Sequence, residues 1–255
     1  MGAGLENVRN IYLEGIAQGH ARDAVTRYTG HRYTQHSTGV ADGVEGFLDF
    51  FEPFLARNPK RDISIVRIIE EGPWVFCSAF QSLNDGEAKW VTMDMFYTDD
   101  AGLILEHWDT IAPYAEATRS GNEMVGGTTE VNPQADSNNS RAVVLEFTKQ
   151  VMQEDAGHKL DHFVAEDLIQ HGADIDAGRA GLAAWLKSPE SGRYEMLFHT
   201  IAQGDFVMTY GKRFALEREI AVFDLYRVSG GLIVEHWSNP ETILPRAQWG
   251  NSGKF

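Results

Sequence analysis

The sequence contains the same motifs twice, in the same order. The stretch GLILEHW at residues 102–108 recurs as GLIVEHW at residues 231–237, with a single difference. Upstream of each stretch lies a Gln-His pair, at residues 35–36 and again at residues 170–171. A repeat with a period of more than about a hundred residues indicates a duplicated domain rather than a solenoid of short units. The chain is therefore predicted to fold as two copies of one small domain.

A polar segment separates the two copies. It reads TRSGNEMVGGTTEVNPQADSNN and has few apolar side chains and many Gly, Ser, Thr and Asn residues. Such a composition is typical of flexible linkers. The predicted organisation is a first domain over residues 1–117, a flexible linker over residues 118–139 and a second domain over residues 140–255.

Each copy begins with helical periodicity and ends with β-rich runs. Apolar residues at helical spacing predict an amphipathic first helix, and another helix follows each Gln-His pair, over residues 43–55 and 178–186. Residues 63–111 and 194–243 then alternate between β-rich runs and turn sequences. Helices followed by a four-stranded antiparallel meander predict an α+β domain, in which the helices cover the concave face of a curved sheet and close a pocket.

Composition and charge narrow the partners that the protein can have. Hydrophobic residues make up 43% of the chain, which is enough for packed cores. The net charge of -15 opposes binding to nucleic acid or to an anionic membrane surface. A single cysteine, Cys77, excludes an intrachain disulfide, and no signal peptide or membrane-spanning run is recognised. We expect a soluble, cytoplasmic protein with neither nucleic acid nor membrane as a partner.

The order of elements and motifs resembles the nuclear-transport-factor-2-like superfamily. Helix, helix, short strand, helix and four strands is similar to the plan of that fold. More narrowly, the motifs look like those of SnoaL-like proteins, which are related to polyketide cyclases and described as predicted aldol-condensation enzymes. The matching motifs are YTQH (33–36), DMFY (94–97) and LEHWD (105–109) in the first copy, and LIQH (168–171), DLYR (224–227) and VEHW (234–237) in the second.

This resemblance implies two tandem cone-shaped α+β barrels, each of which encloses an apolar pocket. Its functional implication is coarse, because the same container serves cyclases, isomerases, dehydratases, epoxide hydrolases and proteins that only bind or dimerise. Family members usually pair through the sheet. Two copies in one chain therefore imply an intramolecular pseudo-dimer packed through the convex sheet faces, while dimerisation of whole chains is left open.

Polar residues in apolar surroundings mark a candidate site in each copy. Strand alternation places Asp94 on one face with Thr92 and Phe96. A buried carboxylate has a raised proton affinity, and a nearby imidazole exchanges protons near neutral pH. Such a pair suits removal of a proton next to a carbonyl and protonation of the resulting enolate. The candidate catalytic residues are His36, Asp94, His107, Asp109, His171, Asp224 and His236, and the candidate substrate-binding residues are Tyr33, Phe96, Trp108, Tyr226 and Trp237.

We expect His36 and Asp94 to face one cavity in the first copy, and His171 and Asp224 to do so in the second. Other interpretations stay open at this point. The histidines of the Glu-His-Trp motifs could be structural core residues. Asp109 has Ser238 as its counterpart, so if Asp109 is the catalytic acid only the first copy is active.

The sequence carries no motif for a metal or a nucleotide. No short ligand pair such as His-x-x-x-His is present among the candidate residues, and no glycine-rich turn lies between a strand and a helix. Cys77 is interpreted as a buried apolar residue, because the second copy has Thr209 in its place. No metal and no cofactor are expected.

Two functional hypotheses follow. The first is a cofactor-independent lyase, isomerase or cyclase that uses His and Asp on a small, largely apolar carbonyl compound. The alternative is a non-catalytic small-ligand-binding or assembly module, in which duplication produces a pseudo-dimer.

Overall fold

The computed structural model describes residues 2–154 and 157–255. The chain divides into two compact units, one made of Met1–Pro113 with Leu244–Phe255 and the other of Tyr114–Ile243. Each unit has its own hydrophobic core. We call Leu244–Phe255 the returning segment, because it follows the last strand of the second unit but belongs to the first. The sequence places this segment in the second domain, since no periodic pattern in it shows where it packs.

Within its described residues, the first unit has three α-helices and one five-stranded sheet. Its elements are α1 (Ala3–Asn10), which continues as a π-helical segment (Ile11–Ala17), α2 (Ala21–Tyr28), β1 (Thr29–Gln35), α3 (Gly43–Arg57), β2 (Arg61–Glu71), β3 (Trp74–Leu83), β4 (Ala88–Thr98) and β5 (Ile104–Pro113). The strand order is β1-β5-β4-β3-β2, with β1 parallel to β5 and the other pairs antiparallel. Apolar side chains of α1, the π-helical segment and α2 form one core with Val75, Cys77 and Phe96 of the sheet.

The turn between β4 and β5 explains the glycine that opens the GLILEHW motif. Gly102 has a φ of 82°, and a Cβ at this position would lie 2.7 Å from the backbone of Ala3. Asn7 of α1 also donates a hydrogen bond to the Gly102 carbonyl, at 2.8 Å. Only glycine allows this left-handed turn to approach the first helix so closely.

The second unit repeats the plan. Its elements are α4 (Ser137–Phe147), which continues as a π-helical segment (Thr148–Gln153), α5 (Leu160–Phe163), β6 (Val164–Gln170), α6 (Gly178–Leu186), β7 (Arg193–Gln203), β8 (Phe206–Ala215), β9 (Arg218–Ser229) and β10 (Leu232–Thr242). The strand order β6-β10-β9-β8-β7 corresponds to that of the first unit, again with one parallel pair. The predicted tandem α+β fold is confirmed by these two equivalent sheets.

The segment predicted as a flexible linker is bound to the second unit. Ser120 Oγ and Asn122 Nδ2 donate to the Gln170 carbonyl at 2.6 Å and 3.0 Å. Asn132 N donates to Asp205 Oδ1 at 2.8 Å. The polar side chains that suggest a solvated linker thus satisfy backbone groups of the domain instead. We call residues 114–136, which precede α4, the connecting segment.

None of the helices in the described part of the chain is long and apolar enough to cross a membrane.

Candidate functional site

A buried carboxylate–imidazole pair lies on the helix-covered face of the first sheet. Asp94 Oδ1 on β4 is 2.9 Å from His107 Nε2 on β5, and Asp94 is 3% exposed. Tyr12 donates its hydroxyl to Asp94 Oδ2 at 2.7 Å and lies 3.0 Å from the Thr92 hydroxyl. Phe96 stacks on His107 with ring centroids 4.6 Å apart. Strand alternation therefore places Asp94, Thr92 and Phe96 on one face, as the sequence pattern indicates.

The tautomer of His107 is set by Gln35. The two residues lie opposite each other in the parallel pair of β1 and β5, and His107 Nδ1 is 2.8 Å from Gln35 Oε1. The Gln35 side chain is also hydrogen-bonded to Tyr33, which orients the amide. Because an amide oxygen only accepts, Nδ1 carries a proton. His107 Nε2 and Asp94 therefore share the remaining proton, which is the arrangement that acid–base chemistry requires.

A second carboxylate, Asp109, lies directly across from Asp94 in the β4–β5 pair. Lys254 Nζ, on the returning segment, is 2.9 Å from both Asp109 Oδ1 and the Asp109 carbonyl oxygen. Lys254 is only 2% exposed. The sequence analysis missed this lysine, because a single Lys close to a glycine, far from any repeated motif, carries no signal.

The two carboxylates differ in proton affinity. Burial raises the pKa of Asp94 above its ordinary value, against the hydrogen bonds and charge of His107, and nearby Asp109 adds to the rise. Burial alone would also raise the pKa of Asp109, but the Lys254 ammonium and His107 bring that pKa below its ordinary value. Asp109 therefore stays charged, while Asp94 takes up a proton more readily.

The remaining polar groups of this face stay protonated. Burial raises the pKa of Tyr12 well above its ordinary value, so the phenol acts as a hydrogen-bond donor. Burial also raises the pKa of Cys77, which lies opposite Asp94 on β3. A thiol in this state is a poor nucleophile, in agreement with its interpretation as a core residue. Tyr33 is buried next to Phe47, with ring centroids 6.1 Å apart.

His36 lies on the opposite face of the sheet. Its ring stacks on Trp108 with centroids 4.4 Å apart and an interplanar angle of 1°. His36 Nδ1 is 2.8 Å from the carbonyl oxygen of Gly253 in the returning segment, and Nε2 is 3.4 Å from Glu106 Oε2. Glu106 in turn pairs with Arg32.

The expected pairing of His36 with Asp94 is wrong. Gln35 reaches His107 on the helix-covered face, so His36, the next residue, points the other way. For the same reason Trp108, which follows His107, does not face Asp94. The partner of Asp94 is His107.

The second unit contains a related pair with a different proton arrangement. His236 Nε2 is 3.1 Å from Asp224 Oδ1, and Tyr226 stacks on His236 at 4.7 Å between centroids. Gln170 Nε2 lies 2.9 Å from His236 Nδ1, while Gln170 Oε1 accepts from Gly172 N at 2.8 Å. The amide therefore donates to Nδ1, and Nε2 carries the proton that His236 donates to Asp224.

This arrangement holds Asp224 in its charged form. Burial would raise the pKa of Asp224, but the hydrogen bond from His236, together with Arg213 and Ser238, brings that pKa below its ordinary value. Ser238 takes the place that Asp109 has in the first unit, opposite the buried aspartate. Asp224, Tyr226 and His236 face a cavity of about 10 Å³, which has room for a single water molecule.

His171 lies on the face opposite Asp224, so the expectation that these two residues share a cavity is also wrong. The reason is the same alternation, since Gln170 reaches His236. His171 stacks on Trp237 with centroids 4.9 Å apart. Its Nδ1 is 2.6 Å from the carbonyl oxygen of Glu123 in the connecting segment, and its Nε2 is 3.1 Å from Glu235 Oε1.

Asp94, His107 and Asp109 have the chemistry of metal ligands. One ligand atom from each lies within 4.8 Å of the others. Lys254 already neutralises Asp109, and both ring nitrogens of His107 are hydrogen-bonded. A metal ion at this position would have to displace these contacts.

No protein-family model and no curated protein sequence matches this chain. Among solved structures, a SnoaL-like candidate polyketide cyclase from Jannaschia sp. is similar, with 20% identity and a TM-score of 0.37 over 43% of this chain and 85% of the other. A candidate ketosteroid isomerase from Kribbella flavida has 16% identity and a TM-score of 0.39 over 44% of this chain and 84% of its own. A nuclear-transport-factor-2-like protein of unknown function from Mesorhizobium loti has 20% identity and a TM-score of 0.38 over 44% of this chain and 98% of its own.

Proposed function

We propose that the first unit is a cofactor-independent lyase, isomerase or cyclase that transfers protons on a small, largely apolar carbonyl compound. The observation that carries this proposal is the buried Asp94–His107 pair, in which Gln35 fixes the proton on Nδ1 and leaves one proton to be shared. A raised proton affinity at Asp94 suits a group that both removes and returns a proton near neutral pH.

The proposed chemistry begins when the Asp94 carboxylate removes a proton from the carbon next to the substrate carbonyl. The C–H electron pair then forms an enolate, whose oxygen accepts hydrogen bonds from His107 or Tyr12. Return of the proton to a different carbon gives isomerisation. Attack of the enolate carbon on a second carbonyl, whose oxygen then takes the proton held by Asp94, gives cyclisation. Tyr33 and Phe96 supply apolar surface for the substrate. Since Asp94 is 3% exposed, the covering elements have to open before substrate reaches it.

For the second unit, a non-catalytic role is the better proposal. Asp224 is held charged by His236 and Arg213, and the cavity that it faces has room for only one water molecule. A charged carboxylate that faces a cavity with room for one water molecule fits a structural or assembly module. The intramolecular pseudo-dimer stays a prediction.

The test compares Asp94→Asn with its matched counterpart Asp224→Asn. A panel of small apolar ketones is incubated in D₂O, and deuterium uptake next to the carbonyl is followed by NMR. Loss of a general base costs about 10²- to 10⁴-fold, so we expect Asp94→Asn to lose exchange by that factor and Asp224→Asn to retain it. Thermal melts show whether each variant is folded. Equal rates in the two variants, on any ketone that the wild-type protein labels, would refute the proposal.

A further inference from the structure

We propose that Lys254, carried by the returning segment, is a positioning residue of the first-unit site that decides which of two facing carboxylates, Asp94 or Asp109, holds the proton. This inference rests on the proposed function for its catalytic meaning, but the protonation of the two carboxylates can be measured without a substrate. The contacts of Lys254 on which the inference rests are with Asp109, outside the Asp94–His107 hydrogen bond.

The geometry makes Lys254 a built part of the site. The residue is 2% exposed, and its ammonium group binds Asp109 twice, through a side-chain oxygen and the carbonyl oxygen, both at 2.9 Å. A lysine loses considerable side-chain entropy and hydration on burial, so such a position requires a compensating anion. Asp109 supplies that anion.

The returning segment is fixed by several further contacts, which hold Lys254 in place. Gly250 N donates to the Thr38 carbonyl at 2.9 Å. Asn251 Nδ2 donates to the carbonyls of Ser37 and Val40 at 2.6 Å and 2.8 Å. The segment thus packs along the loop that follows β1, next to the part of β5 that carries Asp109.

Two carboxylates that face each other in a buried site cannot both be charged at low cost. With Lys254 present, Asp109 is paired with the lysine cation, whereas Asp94 is hydrogen-bonded to His107. The proton therefore goes to Asp94. Without Lys254, Asp109 would lose its paired cation and keep only the interaction with His107 and the hydrogen bond from Ser37. Asp109 would then take the proton, and Asp94, still bonded to His107 and Tyr12, would be the charged member of the pair.

Other titratable groups around the pair are not expected to change this outcome. Tyr12 from the π-helical segment, Cys77 from β3 and Tyr33 from β1 are neutral because of burial, and His107 faces both carboxylates. Lys254 is therefore the charged group that distinguishes Asp109 from Asp94.

The second unit differs from the first in the charged groups around its buried aspartate. Ser238 replaces the facing carboxylate, and Arg213 lies close enough to lower the pKa of Asp224. The facing pair of carboxylates with a lysine on one of them is therefore a feature of the first unit.

The experiment follows the ¹³C carboxyl signals of protein labelled at aspartate, titrated by pH in the full chain. In the wild-type protein we expect one aspartate carboxyl signal with a high titration midpoint, and we expect this signal to be missing from the spectrum of Asp94→Asn. In Lys254→Met, the high-midpoint signal should belong to Asp109, so it should disappear when Asp109→Asn is added. The titration midpoint of Asp94 in Lys254→Met should fall by at least about one pH unit relative to the wild-type protein. Lys254→Arg should behave as the wild-type protein, and Lys60→Met, which removes a surface lysine paired with Asp85, should change nothing.

A high-midpoint signal that still belongs to Asp94 in Lys254→Met would overturn the inference. If Lys254→Met does not fold, Asp109→Asn alone tests the same coupling, because it removes the facing anion and should also lower the Asp94 midpoint. An unchanged Asp94 midpoint in that variant would overturn the inference.

Failure of the proposed function gives a different result, namely the expected change in the carboxyl signals with no turnover in any variant. On a ketone that is turned over, Lys254→Met should shift the pH profile with Asp94, whereas a purely structural lysine would change the rate without moving that profile.

Discussion

At the residue scale, a buried carboxylate lies on the face of the second sheet opposite Asp224. Glu235 has a side chain that is 1% exposed and accepts hydrogen bonds from His171 Nε2, Arg227 Nε and Thr128 N, at 3.1, 2.8 and 3.1 Å. Both ring nitrogens of His171 lie within hydrogen-bond distance of oxygen atoms, of Glu123 and Glu235. The Glu235 carboxylate is therefore buried together with the groups that bind it.

Replacing Glu235 by Gln should reduce stability in a pH-dependent way. Burial would raise the pKa of Glu235, but the hydrogen bonds from His171, Arg227 and Thr128 lower it from 4.5 to about 2. A lowered carboxyl pKa stabilises the folded state above about pH 4.5, and the contribution disappears as pH falls toward 2. At about 1.36 kcal/mol per pKa unit, the loss at pH 7 is of the order of 3 kcal/mol.

Urea unfolding of the wild-type protein and Glu235→Gln at pH 7 and pH 3 checks this prediction. The difference in the free energy of unfolding should be large at pH 7 and smaller at pH 3. The matched control is Glu106→Gln in the first unit, because the Glu106 side chain is 21% exposed and should cost less. A difference that is the same at both pH values would show that shape rather than charge is responsible.

Strand alternation explains how much of the site could be predicted from single residues. The pattern around Asp94 correctly predicts its face, since neighbours two positions away share it. The exclusion of His36 as the partner of Asp94 could not be found in the same way, because it depends on the register between β1 and β5, which puts Gln35 rather than His36 opposite His107. Lys254 is 145 residues from Asp109, and no local pattern reports a contact over that distance.

At the scale of elements, the repeated Gln-His and Glu-His-Trp motifs form a surface, here called the platform, on which a covering segment docks. The covering segment is the returning segment in the first unit and the connecting segment in the second. In each unit a His stacks on a Trp and directs Nδ1 at a backbone carbonyl, from Gly253 in one case and Glu123 in the other. The two covering segments differ in sequence, so the match lies in backbone position. Repetition of Gln-His and Glu-His-Trp in both copies is thus accounted for by this docking role as well as by the inner pair.

Gly127 in the connecting segment tests this platform. It has a φ of 88°, and a Cβ there would lie 2.6 Å from His171 Nε2 and against Glu235. Gly127→Ala should therefore displace the segment from the platform. Gly121 is the matched control, because its φ is 81° but a Cβ there meets nothing within 4 Å.

We expect Gly121→Ala to cost about 1–2 kcal/mol from backbone strain alone, and Gly127→Ala to cost more than that. Hydrogen–deuterium exchange should increase over residues 120–130 in Gly127→Ala and change little in the control. Equal costs for the two variants would mean that the segment is not seated against His171 and Glu235.

At the scale of the whole molecule, each unit includes a segment that, along the chain, follows the last strand of the other unit. The connecting segment follows β5 and belongs to the second unit, while the returning segment follows β10 and belongs to the first. The sequence correctly predicts two copies, because motif order survives duplication. It could not predict this exchange, because both segments are polar and aperiodic, and their contacts are made by backbone groups and isolated side chains.

Removal of the returning segment should consequently affect the first unit and not the second. A chain that ends at Ile243 loses the hydrogen bonds to the loop after β1, the carbonyl bound to His36 and the ammonium bound to Asp109. Asp109 would then be a buried carboxylate without its cation, which costs several kcal/mol unless it is protonated. We expect faster amide exchange over residues 36–40 and 107–110, with unchanged exchange over residues 164–242. A chain that ends at Trp249 should reproduce the effect, because the contacts named here come from Gly250 onward. Faster exchange throughout the second unit would contradict the division into units, since it would mean that the segment stabilises the unit whose last strand it follows.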